Sequence, residues 1–170
     1  LPAFKDLVQE AKVEAVMGAY NRTNGEACCA SPTLLQKILR EEWGFDGHVV
    51  SDCGAIQDIF QYHKLVDTAE EAAALAVNNG CDLNCGRIFF SLVEAAKQGL
   101  IAEETIDRSL YRLFQTRFRL GMFDPEEDNP YAQIPFEVVG SKEHRAAARD
   151  MARKSMVLLK NDGVLPLKKD

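Results

Sequence analysis

The sequence is short of the residues that several chemistries need. It has three histidines, at 48, 63 and 144, and a single tryptophan. Five cysteines stand at 28, 29, 53, 81 and 85, but Cys28 and Cys29 are adjacent and Cys81-x-x-x-Cys85 lacks zinc spacing, so a Cys/His metal site is not expected. An odd count cannot all pair within one chain, and buried thiols are the default expectation. There is no Gly-x-Gly-x-x-Gly, P-loop or Gly-x-Ser-x-Gly, which lowers dinucleotide, nucleotide and serine-hydrolase readings. Basic residues number 20 against 26 acidic ones, and the net charge of −6 argues against a nucleic-acid partner. No apolar run approaches the ~18 residues of a membrane span, so no membrane partner is expected. The first residues hold no basic stretch followed by an apolar one, hence no visible signal peptide. Leu1-Pro2-Ala3-Phe4, without an initiator Met, reads as the interior of a longer chain.

What is present is a globular composition. The 170 residues are 46% hydrophobic and 27% charged, enough for one domain of ordinary size. Residues 3–11 read as a helix tail. Ala15-Val16-Met17-Gly18-Ala19-Tyr20 is a continuous small and apolar run, as in a strand covered on both faces. A polar loop follows at 21–26; its Asn21-Arg22-Thr23 matches the glycosylation pattern and is read as chance. Ser31-Pro32 starts a helix whose apolar face is Leu34, Leu35, Ile38 and Leu39, ended by Gly44. Gly47 to Gly54 reads as a second buried strand that ends on Asp52. A long connection to about residue 67 holds Asp58, His63 and Asp67. A helix from Thr68 to Asn79 leads to a third short strand, Cys81-Asp82-Leu83-Asn84. Strand centres about 32 residues apart have the size of βαβ units, which argues for a parallel sheet.

After Gly86 the pattern turns helical. Ile88–Gln98 places Leu92, Val93 and Ala96 inward, and Ile101–Leu120 carries Ile106, Leu110, Leu113, Phe114 and Phe118 on one face. Residues 123–141, with three prolines and many acids, read as a linker. Ser141 caps a helix to about Ser155, and Met156–Asn161 is strand-like. A strand so near the end suggests a second domain.

The candidate chemistry centres on Asp52, a carboxylate at the carboxyl end of a predicted parallel strand, where α/β folds place their sites. The competing reading is a loop-capping Asp. Tyr20 is predicted at the same end of the neighbouring strand. Its hydroxyl could donate to Asp52 and hold it ionised as a nucleophile requires, or could simply plug the mouth of the core. Met17 reads as core, Cys53 as a pocket wall, Asp82 as a structural hydrogen-bonded carboxylate, and His63 as a solvated loop residue or a proton shuttle.

Four stretches carry a resemblance that spans nearly the whole chain. They are Val16-Met17-Gly18-Ala19-Tyr20-Asn21 with Asn24-Gly25; Leu39 through Gly47; Val49-Val50-Ser51-Asp52; and Met156 through Asn161 with Leu165-Pro166-Leu167. In this order they resemble glycoside hydrolase family 3. The resemblance implies the C-terminal portion of a (β/α)8 TIM-type barrel over 1–122, a linker over 123–141, and the first elements of an α/β sandwich domain over 142–170. It implies a retaining enzyme that releases β-linked sugars from non-reducing ends. Asp52 falls on the family's nucleophile position; Tyr20 and Met17 match residues lining the sugar subsite. The acid/base is expected outside this chain, so the isolated chain is expected to be inactive, with the rest of its own parent chain as a missing partner. Where many family β-glucosidases carry Trp, this sequence has Cys53. Ser51 through Ile56, with Cys28-Cys29 and Asp82-Leu83-Asn84-Cys85-Gly86, resembles the β-xylosidase and arabinofuranosidase branch. The alternatives are a β-glucosidase or a non-catalytic carbohydrate-binding or scaffold piece. The implied partner is a small oligosaccharide or glycoside. No metal or organic cofactor is implied. The resemblance favours the periplasm or the cell exterior over the cytoplasm.

Overall fold

Two parallel strands organise residues 1–123, and the first is exposed along one face rather than covered on both as its composition suggested. In a computed structural model that describes residues 1–168, β1 (Ala15–Gly18) pairs with β4 (His48–Ser51) in the register Ala15↔His48 to Gly18↔Ser51. Between them a tight hairpin, β2 (Arg22–Thr23) and β3 (Glu26–Ala27), leads into the Pro32–Glu42 helix. Gly47 allows the approach to β4: a Cβ there would stand 2.2 Å from the Glu14 carbonyl oxygen. Gly18 is similarly constrained, since a Cβ would meet Cys29 Sγ at 2.7 Å.

The Pro32–Glu42 helix starts as expected, with Pro at its first turn and Ser31 Oγ accepting the Leu34 N–H at 3.0 Å. It is wound as a π-helix rather than an α-helix, and the Trp43 N–H reaches back five residues to Ile38. Leu35 and Leu39 still face the core. The connection after Asp52 is shorter than the sequence suggested, because an α-helix, Ala55–Gln61, forms directly beyond Gly54 and buries Ala55, Ile56 and Ile59. The Ala69–Asn78 helix opens with a capping box in which Thr68 and Glu71 satisfy each other's backbone N–H groups. Its alanines face the core: Ala72, Ala73 and Ala76 are fully buried.

The third strand is a correction. Only Leu83 bridges to Val50, in parallel. The N–H groups of Asp82 and Leu83 both go to the Val49 carbonyl, and the chain then turns away, so no ladder extends. Asp82 explains much of the order here. It is almost fully buried and accepts from Arg40 Nη2 at 2.8 Å, Arg112 Nη1 at 2.9 Å and the Val49 N–H at 2.9 Å. Arg40 Nη1 also donates to the Gly47 carbonyl at 3.0 Å. The structural role expected for Asp82 is therefore what the geometry gives it, at the amino end of β4, away from Asp52.

Further along, residues 88–98 split into a 3₁₀ turn, Ile88–Ser91, and an α-helix, Leu92–Lys97, whose buried residue is Ala95; Val93 is exposed. The Glu103–Arg119 helix buries Ser109, while Leu110, Phe114 and Phe118 of its predicted inner face are exposed. This helix is tied to the strands by polar contacts: Thr116 with His48 and Glu14, and Arg119 with Glu14 at 3.0 Å. Phe123 stacks on Phe114 with ring centroids 5.8 Å apart.

The chain divides into two units, Leu1–Phe123 and the residues from Asp124 onward. The second has 3₁₀ turns at Glu126–Asp128 and Phe136–Val138 and the helix Lys142–Ser155, with Ser141 Oγ accepting the His144 N–H as an N-cap. Residues 156–161, expected as a strand, are not in a sheet, because no described strand lies alongside to pair with them.

Candidate active site

Asp52 sits one residue past the carboxyl end of β4. Its N–H donates to the Gly18 carbonyl at 3.0 Å, continuing the parallel ladder. Its carboxylate Oδ1 accepts the following N–H, that of Cys53, at 2.7 Å. Gly54, at φ +86°, then turns the chain into the Ala55–Gln61 helix. The result is a half-buried carboxylate on a tight strand-to-helix turn.

Tyr20 comes to the same edge from β1. Its hydroxyl donates to the Cys53 carbonyl oxygen at 2.5 Å and lies beside the Asp52 carboxylate as well. Tyr20 still lies in the field of Asp52. Desolvation, followed by the Asp52 charge, pushes the phenol above its ordinary value. It is 45% exposed.

Cys53 is not a free thiol. It forms a disulfide with Cys85, with Cα atoms 4.4 Å apart. The expectation of buried thiols holds for Cys28, Cys29 and Cys81 and fails for Cys53 and Cys85. Burial pushes the Cys29 thiol up to about 11 and raises Cys81 further, so these groups stay protonated. A signal for the disulfide was available: the two cysteines are 32 residues apart, one βαβ period, and each follows the end of one of two adjacent parallel segments.

The structure therefore brings Asp52, Tyr20 and Cys53 together. Met17 lies opposite Val50 and is 61% exposed. It lines an apolar groove of about 310 Å³ with Val16, Leu34, Ile38 and Trp43. His63 is set apart on the loop after the Ala55–Gln61 helix, with its N–H on the Asp58 carbonyl. Sequence reasoning missed the Glu26 clamp. The Glu26 carboxylate accepts from Ser31 Oγ, from Thr33 Oγ1 at 2.9 Å and from the Thr33 N–H at 3.3 Å, and so closes the loop that follows Tyr20. Among the described residues, no group of three or more His, Cys, Asp or Glu is placed to hold a metal ion. No described helix is long and apolar enough to cross a membrane.

An α/β domain with an acidic side chain at the carboxyl edge of its parallel strands is the class that fold and site define. The chain belongs to glycosyl hydrolase family 3, whose N-terminal-domain model matches residues 1–116. It is 50% identical, over 99% of its length, to a "Probable exo-1,4-beta-xylosidase bxlB" of Aspergillus clavatus, and covers 22% of that protein. It is 44% identical to the xylan 1,4-beta-xylosidase of Xylanibacter ruminicola, covering all of this chain and 20% of that one. Among solved structures it is similar to an exo-beta-xylosidase of the same family, in complex with a xylobiose aziridine activity-based probe. The TM-score there is 0.89 at 35% identity, over 99% of this chain and 22% of that one. A beta-glucosidase from Erythrobacter marinus aligns with a TM-score of 0.86 at 32% identity, again over 99% and 22%. The chain thus spans about a fifth of the length of the relatives it matches.

Proposed function

We propose that this chain is the nucleophile-bearing segment of a retaining β-glycosidase that removes xylosyl units from non-reducing ends. The observation that carries the reading is the Asp52 carboxylate at the carboxyl edge of β4, in a chain half identical to a xylosidase over nearly its whole length. In this reading the two parallel strands and the Leu83 bridge are part of a (β/α)8 barrel, and the residues from about 142 begin an α/β sandwich.

The chemistry is a double displacement. The Asp52 carboxylate oxygen bonds to the anomeric carbon as the glycosidic C–O bond breaks. The leaving oxygen takes a proton from an acid supplied by the rest of the full-length polypeptide. Water then attacks the same carbon, gives its proton to that group, and the Asp52–sugar bond breaks. Tyr20 is the wall of the sugar subsite, and its bond to the Cys53 carbonyl keeps its ring beside the reacting carbon. Met17 and the Cys53–Cys85 disulfide complete the wall. A β-glucosidase is the second reading, supported by the Erythrobacter similarity. The xyloside reading is favoured by the higher identity to xylosidases and by the disulfide where many β-glucosidases of the family carry an indole.

The test uses a full-length polypeptide carrying residues 1–170. It is treated with an activated 2-deoxy-2-fluoro-β-xyloside, and the labelled peptide is mapped by mass spectrometry. Label on Asp52 is expected. Label only with the glucosyl analogue moves the specificity to glucosides. No label with either sugar on the folded protein overturns Asp52 as nucleophile.

A further inference from the structure

The backbone that carries Asp52 is hydrogen-bonded at every N–H from Ser51 to Gly54. Ser51 donates to the Leu83 carbonyl at 2.8 Å, Asp52 to Gly18 at 3.0 Å, Cys53 to the Asp52 carboxylate at 2.7 Å, and Gly54 to the Cys85 carbonyl at 2.8 Å. Two of these four acceptors belong to the 83–86 turn. The backbone on either side of Asp52 is therefore held by that turn, while its own N–H is held by Gly18. The turn is held in its middle by one side chain. Ser51 Oγ, in a residue 1% exposed, accepts from the Cys85 N–H at 3.0 Å and from Asn84 Nδ2 at 3.2 Å. Asn84 Oδ1 in turn accepts the N–H groups of Ile88 and Phe89 at 3.0 and 3.4 Å, which anchors the far side of the turn. The Cys53–Cys85 disulfide closes the ring covalently.

Strand alternation puts Ser51 on the same face of β4 as buried Val49, opposite the face that Asp52 continues from Val50. Ser51 therefore does not meet the substrate. A hydroxyl buried to this degree is costly unless paired, and packing alone could be served by Ala or Val. What only the hydroxyl supplies is an acceptor for two donors on the turn.

We propose that Ser51 is a positioning residue for Asp52: its hydroxyl seats the 83–86 turn, and the turn, with its disulfide, fixes the peptide that presents the carboxylate. The proposal rests on the reading of Asp52 as nucleophile. The substitution Ser51→Ala leaves two donors without an acceptor and frees the turn to shift. Misplacement by ~1 Å can cost on the order of a hundredfold in rate.

The experiment measures labelling of the full-length polypeptide by the activated 2-deoxy-2-fluoro-β-xyloside, over a range of concentrations. It separates the saturating rate from the half-saturating concentration. For Ser51→Ala the saturating rate is expected to fall roughly ten- to a hundredfold. The half-saturating concentration should stay within about threefold of wild type, because no sugar contact is lost. A folded Ser51→Ala protein with the wild-type saturating rate overturns the proposal, even if its melting temperature is lower. If Ser51→Ala does not fold, Asn84→Ala removes one of the same two donors from a half-buried position. Its saturating rate is expected to fall roughly three- to tenfold, and an unchanged rate overturns the proposal. Dithiothreitol converts the disulfide to two thiols and is itself oxidised to its cyclic disulfide. The saturating rate of fully reduced, folded wild type should also fall; an unchanged rate removes the disulfide from the clamp. Wild-type protein with no label on Asp52 overturns the nucleophile reading and the positioning role with it. Label on wild type at a rate equal to the variants overturns the positioning role alone.

Discussion

At the scale of single residues, the carboxylates divide by what they face. Asp52 faces outward and Asp82 inward, though both read alike as strand-end acids in the sequence. The difference comes from Arg40 and Arg112, which lie 42 and 30 residues from Asp82 and which no local pattern connects to it. With side chains only 9% and 19% exposed, these arginines need the charge they surround. Asp82→Asn keeps the shape and removes the charge, and breaking a buried ion pair from one side costs about 3 kcal/mol or more. A clear drop in the melting temperature of the full-length polypeptide is expected; an unchanged one would mean that the network contributes no net stability. Glu26 gives a pH dependence. Hydrogen bonds from Ser31 and then Thr33 hold its carboxyl below the usual 4.5, and backbone bonds from Asp67 and Thr68 do the same for Glu71. A depressed folded value means that the stabilisation is present above the unfolded value and is lost as pH falls through the folded one. Melting temperature should therefore decline below about pH 4.5, and Glu26→Gln should flatten part of that decline. A variant with the wild-type slope would remove Glu26 from the account.

At the scale of elements, the parts readable from the sequence were those whose signals are local. Ser31-Pro32, the helical run that begins at Thr68 and the apolar β-branched run Val49-Val50 produced two helices and a strand where each was expected, and the Thr68–Glu71 capping box came unread with the second helix. Failures fell where partners decide. Cys81–Asn84 has a strand's composition, but one bridge to Val50 is all that forms, since Asn84 and Cys85 turn to bond Ser51 Oγ. The π winding of Pro32–Glu42 leaves the same apolar face as an α-helix would over so few turns, so periodicity did not expose it. Gly47 could be read from the sequence as punctuation, but not as a contact. Its real role is to let β4 start against the Glu14 carbonyl. Gly47→Ala must push that carbonyl aside, and overpacking of this kind costs typically about 1–3 kcal/mol. The expected result is a lower melting temperature together with slower Asp52 labelling, because β1 and β4 must part where their pairing begins. Full stability in Gly47→Ala would mean that the two segments separate without strain.

At the scale of the whole molecule, the family was legible because its marks lie along the chain in order, and so was the meeting of Asp52, Tyr20 and Cys53 at one strand edge. The disulfide was missed, because the five cysteines were read by count, although the 32-residue spacing of Cys53 and Cys85 matches one βαβ period. The exposed helix face was not legible either: the stripe of Ile106, Leu110, Leu113, Phe114 and Phe118 is amphipathic in the sequence, and only the structure shows Leu110, Phe114 and Phe118 facing outward. Apolar side chains also line the 310 Å³ groove around Val16, Ile38 and Trp43. Surfaces of this kind call for a partner. Residues 1–170 expressed alone should therefore bind a hydrophobic dye and associate in a concentration-dependent way by light scattering. They should also fail to hydrolyse an aryl β-xyloside, since in the proposed mechanism the proton donor comes from the rest of the polypeptide and general acid catalysis contributes roughly 10²–10⁴-fold. The two readouts separate the causes. A well-folded monomer without activity would place the defect in the missing acid. An associated and inactive sample would place it in the uncovered surfaces. Turnover by the isolated segment at the rate of the full-length protein would overturn the assignment of the acid to the remainder of the chain.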